Sequence, residues 1–392
     1  VDARAGRKAL PDFDEAVDRS GTASEKWDKY RDRDIIPMWV ADMDFRSPQA
    51  IVEALRNRCE HGVFGYTGAS PELTEAVVRM MQRDYNWCIE PQWLVWLPGL
   101  VTGLNVACRS VGADGDEVLT LVPVYPPFLS APRHSGREVV RVRMHEASNR
   151  WSVDFERLEA AVTPQTRLFM LCNPHNPVGR VFDRPELERL AELCLSRGLV
   201  ICADEIHCGL VLDPAKRHVP IATLGAEVAR STITLMAPSK TFNLAGLGCS
   251  FAVIPSEALR RRFLQAKAGI VPMLNPFGYL AALTAYTVCE GWRQELIVYL
   301  RGNRDLLAET LPRMPGGLSL APVEGTYLAW IDVRQTGIDE PVRFFEDAGV
   351  GLQDGRDFDG AGFVRLNFGC RRAVLREAIE RMTAALVARL GG

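Results

Sequence analysis

Lys240 stands in Ala237-Pro238-Ser239-Lys240-Thr241-Phe242-Asn243, directly after an apolar run. Burial at such a place disfavours the ammonium form and leaves an amine able to form a Schiff base with an aldehyde. The chain has six lysines against forty arginines, so chemistry that needs an amine has few candidates. Cys202-Ala203-Asp204-Glu205-Ile206-His207 closes a second apolar run with two carboxylates. A carboxylate there can keep a heteroaromatic nitrogen protonated and make its ring an electron sink. Asn173-Pro174-His175-Asn176-Pro177-Val178-Gly179 is a rigid turn in which two prolines fix φ around Asn176, an amide able to donate to a phenolate-like oxygen. Pro98-Gly99-Leu100-Val101-Thr102-Gly103 leads into a helix whose free amides, with the Thr102 hydroxyl, suit a phosphate. Tyr125, in Pro123-Val124-Tyr125-Pro126-Pro127-Phe128, offers a flat face to an aromatic ligand. Arg365 alternates with apolar neighbours in Phe363-Val364-Arg365-Leu366-Asn367-Phe368-Gly369, and an inward guanidinium suits a bidentate carboxylate. Taken singly, each motif has a plainer account: a surface lysine, a helix N-cap, a loop, an ordinary helix start, ring packing or a structural ion pair.

The elements that must position these residues follow from periodicity. Residues 48–61 and 71–87 read as helices, and 93–111 as a short strand, a turn at Pro98-Gly99 and a helix. Apolar strands are expected over 117–121, 168–172, 199–207, from 232 and over 249–254, with a helix over 185–197. This alternation predicts an α/β fold with a mainly parallel sheet between helices. Polar clusters follow the strands at 173–179, 204–209 and 238–246, the carboxyl ends at which ligands collect in such sheets. A long helix over 277–311, broken near Gly291, leads to a smaller α+β C-terminal domain with strands around 325–333 and 362–368 and a closing helix over 373–390. The expected division is an N-terminal arm at 1–45 associated with the small domain, a large domain at 46–288 and the small domain at 289–392.

Composition narrows the class. A chain of 392 residues, 47% apolar and 24% charged, has the balance of a globular protein of about two domains. A net charge of −3 and a pI near 6.2 argue against nucleic acid or an anionic membrane as partner. No apolar run approaches the ~18–20 residues of a membrane span, and Val1 to Pro11 has no signal-peptide core, so a cytoplasmic protein is expected. The ten cysteines include no CxxC pair, so neither a disulfide framework nor a metal site is expected.

NPHNPVG, ADEIH, SKTFNLAGL and VRLNFG occur in this order, with steps of 28 residues from Asn176 to Asp204, 36 to Lys240 and 125 to Arg365. The set resembles the fold-type I pyridoxal-phosphate enzymes of the aspartate aminotransferase superfamily, over nearly the whole chain. MWVADMDF at 38–45, HGVFGYT at 61–67, PVYPPF, NPHNPVG and DEIHC are similar to the cystathionine β-lyase and cysteine–sulfur lyase subgroup. The resemblance implies that Lys240 is the Schiff-base lysine and general acid/base. It pairs Asp204 with the pyridine nitrogen and Asn176 with the ring hydroxyl, stacks Tyr125 on the ring, and gives the phosphate to Val101, Thr102 and Ser239. Arg365 would clamp an amino-acid substrate's α-carboxylate, helped by the Ala41 backbone and Asn176, with His207 near but not in contact. Tyr66 would reach the cofactor of a neighbouring subunit, which implies a homodimer with shared sites. One departure is Gly209, where relatives commonly carry an acidic residue. The activity implied is α,β-elimination from a cysteine S-conjugate or cystathionine. An aminotransferase, a biosynthetic tailoring enzyme acting on a cysteine-conjugated metabolite and a cofactor-binding regulator are the alternatives.

Overall fold

The computed structural model describes residues 11–147 and 150–390; the opening segment Val1–Leu10, read above as lacking a leader core, lies outside them. Seven strands form the main sheet: β1 (Leu94–Leu97), β2 (Glu117–Val122), β3 (Glu138–Arg143), β4 (Thr166–Cys172), β5 (Val200–Asp204), β6 (Thr232–Met236) and β7 (Ser250–Val253). Their order is β1-β7-β6-β5-β4-β2-β3. β7 runs antiparallel to both its neighbours, and the other pairs are parallel. The inner strands are nearly continuous apolar runs because helices cover both faces.

Among the longer helices are α1 (Gln49–His61), α2 (Pro71–Tyr85), α3 (Leu100–Ser110), α4 (Arg184–Ser196), α5 (Glu257–Lys267), α6 (Pro276–Val288), α7 (Glu290–Thr310) and α8 (Arg372–Leu390). Local signals set their ends. Ser70 accepts the Leu73 N–H ahead of Pro71, and Asp183 with Glu186 makes a capping box on α4. A second, four-stranded antiparallel sheet holds β8 (Ser319–Leu320), β9 (Leu328–Asp332), β10 (Gln353–Asp354) and β11 (Phe363–Asn367), in the order β8-β9-β11-β10. One core cluster joins Phe13, Met38, Met43 and Phe45 to Leu328, Leu366 and Phe368 of that half and to Leu375 and Met382 of α8.

The structure refines the sequence expectation in several details. β5 ends at Asp204 rather than at His207, because Glu205 turns inward: its carboxylate takes the Ile221 N–H at 3.2 Å and pairs with His218 Nε2 at 2.7 Å. The break expected near Gly291 in the helix over 277–311 falls at Cys289, two residues earlier. β3 was not expected, since its EVVRVR alternation with exposed charge belongs to a sheet edge rather than to an apolar run.

Candidate active site

The carboxyl ends of β2, β4, β5 and β6 open on a cavity of about 230 Å³ lined by Ala41, Val101, Thr102, Tyr125, Asn176, Asp204, His207, Ser239 and Lys240. The loops following β4, β5 and β6 all contribute. Register makes this convergence exact at the floor, where Asp204 pairs with Cys172 on one side and Leu235 on the other. α3 begins at the rim. Its approach depends on Gly103, where a Cβ would stand 3.0 Å from Leu235 Cδ2 and 3.1 Å from Leu97 Cδ1. The start of α3 has no side-chain cap, so its first amide groups lack helical partners and present positive dipole to the cavity. The Thr102 and Ser239 hydroxyls line the same cavity and make no hydrogen bond among the described residues. An anionic group fits there.

Asp204 brings the opposite charge to the lining. Burial pushes the Asp204 carboxyl up to about 7, partly opposed by the Ile206 N–H that it accepts at 3.1 Å and by the charge of Lys240. Such a carboxylate lacks a cationic partner and fits a protonated ring nitrogen. Burial, and then the charge of Arg365, bring the Lys240 amine down to about 8; Asp42 and Asp204 resist. Its Nζ donates to Ala41 O at 2.6 Å. Burial holds the Tyr125 phenol above its ordinary value, so it stays protonated. His207 lines the cavity as a neutral imidazole, its acidity set by burial and by the charges of Lys240 and Arg365; Nδ1 has no partner.

Arg365 lies behind Asn176 and does not itself line the cavity. Its Nη1 donates to Asn176 Oδ1 at 3.0 Å. A guanidinium only donates, so this contact turns the Asn176 NH2 group away from Arg365 and leaves it free to donate elsewhere. Nη2 donates to Trp39 O at 2.9 Å and to Gln353 Oε1, and the ring of Phe358 lies 4.7 Å from Cζ. Arg365 is buried, has no carboxylate partner among the described residues, and keeps an unpartnered Nε. Burial pulls its pKa down to about 10. A buried cation without a counter-charge is costly, and a ligand carboxylate would supply one.

The sequence singles out MWVADMDF at 38–45 and names Ala41 within it, but not how the rest of this segment is held. Trp39 O serves Arg365, and Ala41 O serves both Lys240 and the Tyr327 hydroxyl at 2.9 Å. Asn367 Nδ2 holds Val40 O and Asp42 O, each at 2.6 Å. Asn243 accepts the Met43 N–H at 3.0 Å and donates to Met43 O and Phe45 O, each at 2.9 Å. The visible signals were the asparagines following Lys240 and Arg365 in their motifs; a side chain with both donors and an acceptor can tie down an extended strand. Two expected site residues do not line the cavity: Arg365, which meets it through Asn176, and Tyr66, which is 99% exposed on the loop between α1 and α2, beside exposed Val63 and Phe64.

Gly209 lines a smaller cavity with Asp84, Tyr85, Thr241 and Arg293, on the far side of the lysine loop. A Cβ there would come within 2.5 Å of Thr241 Oγ1. Restoring an acidic side chain by Gly209→Asp must therefore push Thr241, the neighbour of Lys240. The expected cost is about 1–3 kcal/mol of stability, read as a lower Tm, with lower turnover. An unchanged Tm and rate would mean that Thr241 rotates away without moving the lysine.

A family model described as aminotransferase class I and II matches residues 33–382. A protein of Bacillus subtilis named cystathionine beta-lyase PatB is 38% identical over 389 residues, covering 95% of this chain and 99% of that protein. A crystal structure titled OvoB superimposes with a TM-score of 0.94 at 44% identity, covering 96% of this chain and 99% of that one. A PLP-bound C–S lyase from Staphylococcus hominis superimposes with a TM-score of 0.91 at 31% identity, covering 97% and 99%. These matches run almost from end to end, and with them the chain belongs to the aminotransferase class I and II family.

Proposed function

We propose that the protein is a PLP-dependent C–S β-lyase that converts a cysteine S-conjugate or cystathionine, with water, into a thiol, pyruvate and ammonia. The observation that carries the cofactor is the mixed lining of one cavity: free helix amides and two unpartnered hydroxyls that suit an anion, and a buried carboxylate with no salt-bridge partner among the described residues. PLP, which carries both a phosphate and a protonatable ring nitrogen, fits both. The relatives and solved structures named for C–S lyases support the elimination outcome.

When bound, PLP supplies an electrophilic carbonyl and an electron sink for the carbanion formed at Cα. In this reading the start of α3, with Thr102 and Ser239, holds the phosphate. Asp204 keeps the ring nitrogen protonated, Asn176 donates its NH2 group to the ring oxygen, and Tyr125 covers one ring face. Arg365 binds the substrate carboxylate. Lys240 takes the Cα proton; an amine lowered to about 8 keeps a far larger neutral fraction near neutral pH than an ordinary lysine and is still basic enough to act. Ala41 O gives the resulting ammonium a resting acceptor.

Attachment of PLP to the cofactor-free protein needs the neutral amine. Its rate is expected to rise with pH to a midpoint near 8, the value to which burial lowers Lys240, and not near the ordinary 10.5. Stopped-flow absorbance from about pH 6 to about pH 11 measures this; a midpoint near 10.5 would contradict an enclosed amine.

The division into an arm at 1–45, a large domain at 46–288 and a small domain at 289–392 belongs to the same proposal. Its support is the pair of separate sheets, the break at Cys289 and the core shared by Phe13 and Met38 with the C-terminal strands. A homodimer is proposed as well: exposed Val63, Phe64, Tyr66, Ile270 and Met273 are apolar surface that a second copy would cover. No described helix is long and apolar enough to cross a membrane. The cytoplasm is the proposed compartment, in keeping with buried thiols such as Cys172, Cys194 and Cys202.

The deciding experiment incubates the holoenzyme with S-alkyl-cysteines or cystathionine and follows pyruvate and free thiol together, with no 2-oxo acid added. Equal amounts of both are expected. A strict requirement for a 2-oxo acid would make the protein an aminotransferase instead.

A further inference from the structure

Gln353 and Arg365 stand opposite each other across the antiparallel β10–β11 pair. A guanidinium grips a carboxylate in two arms along either of two edges, Nε with Nη2 or Nη1 with Nη2. Both edges use Nη2. Here both Nη2 hydrogens are engaged, one by Trp39 O and one by Gln353 Oε1, while Nε is unpartnered. A carboxylate can therefore take a two-armed grip only if one of those acceptors withdraws.

The two acceptors are not equally free. Trp39 O is main chain, in the segment tied down by Asn367 and Asn243. Gln353 is a half-buried side chain on a two-residue edge strand, and its other end makes a single long contact of 3.4 Å with Asp357. We propose that Gln353 is a specificity-determining plug whose amide oxygen occupies Arg365 in the free enzyme and is displaced by the substrate α-carboxylate. The proposal rests on the reading that Arg365 binds that carboxylate.

The physical sense is an exchange of acceptors. A buried guanidinium left bare would cost stability, and a neutral amide oxygen satisfies it at modest strength. Charge-assisted bonds to a carboxylate are roughly twice as strong. A carboxylate therefore displaces the plug, whereas a substrate amide or ester, offering an acceptor no better than Gln353 itself, does not. The plug raises the threshold for binding and sharpens selection for a free acid.

The test uses the holoenzyme with Gln353→Ala, Gln353→Met, Gln353→Glu and Arg365→Lys. KM and kcat are read with S-methyl-cysteine. Calorimetry gives the Kd of 3-(methylthio)propionate, which keeps the carboxylate and lacks the reacting amine. Removing the plug with Ala, or with Met at nearly equal length, is expected to lower both KM and Kd about three- to tenfold, with the effect falling on KM rather than kcat. Gln353→Glu places a competing carboxylate on Arg365 and should raise both by about thirtyfold or more. If Ala and Met weaken binding or leave it unchanged while Arg365→Lys raises Kd more than about tenfold, the plug is refuted and the carboxylate reading stands. If Arg365→Lys changes neither KM nor Kd, the carboxylate reading itself falls.

Discussion

Lys240→Ala should lose at least about 10³-fold in turnover, together with the visible absorbance of the lysine-linked cofactor. Lys240 is the one lysine lining the cavity among the described residues, so no second amine stands ready to take the Cα proton. Its environment is built for that exchange. Burial and Arg365 lower the amine to about 8, and Ala41 O waits at 2.6 Å for the protonated form. The variant should fold, because it removes a buried amine and leaves the Tyr327 bond to Ala41 O in place. Circular dichroism and Tm check the fold, absorbance checks the cofactor, and the pyruvate assay checks turnover. A folded variant with undiminished turnover would remove Lys240 from the chemistry.

Asp204→Asn should have two effects of opposite sign. With the cofactor, turnover falls by an expected 10²-fold or more, on the order of an essential electrostatic contact, because an amide does not hold the ring nitrogen protonated. Without the cofactor the protein becomes more stable above pH 7. The folded carboxyl has its pKa raised from 3.8 to about 7, so between these values the folded state binds more protons than the unfolded one. Stability is therefore lost as pH rises through that window and stays low above it. One pKa unit is about 1.4 kcal/mol, which makes a few kcal/mol the upper limit of the gain from a neutral isostere at pH 8. Scanning Tm of the cofactor-free proteins from pH 4 to 9 should show the curves separating upward of about pH 5. Parallel curves would mean that Asp204 is already answered by a cation. The mutation that harms the holoenzyme should thus help the empty protein, the pattern of a group placed for a ligand rather than for folding.

The contrast between two lysines explains what was legible in the sequence. Lys26 is almost fully buried, more so than Lys240, yet Asp44 meets its Nζ at 2.8 Å and the pair is structural. Nothing in the residues around Lys26 distinguishes it; what marked Lys240 was its place in an ordered set of motifs, each following a strand. The parallel strands were legible because burial on both faces leaves continuous apolar runs, and their carboxyl ends located the loops. β3, β8 and β10 were not legible: one is a charged edge and the others are two residues long. Glu205 shows the limit within a motif. It adjoins Asp204, but the turn after β5 sends it to His218 and Ile221, away from the cavity. Gln353 was invisible for another reason, since its importance comes only from the register that sets it opposite Arg365.

The Arg365–Trp39 and Asn367–Val40 bonds tie residues 326 and 327 positions apart. During synthesis the carbonyls at 39–42 leave the ribosome long before the donors that hold them have been translated. The carboxylate-binding corner therefore cannot assemble on a nascent chain until the strand carrying Arg365 and Asn367 has been made, and a product truncated before residue 365 can have most of the large sheet without the means to seize a substrate. Competence for chemistry is thereby coupled to synthesis of a strand more than three hundred residues downstream of the carbonyls it holds.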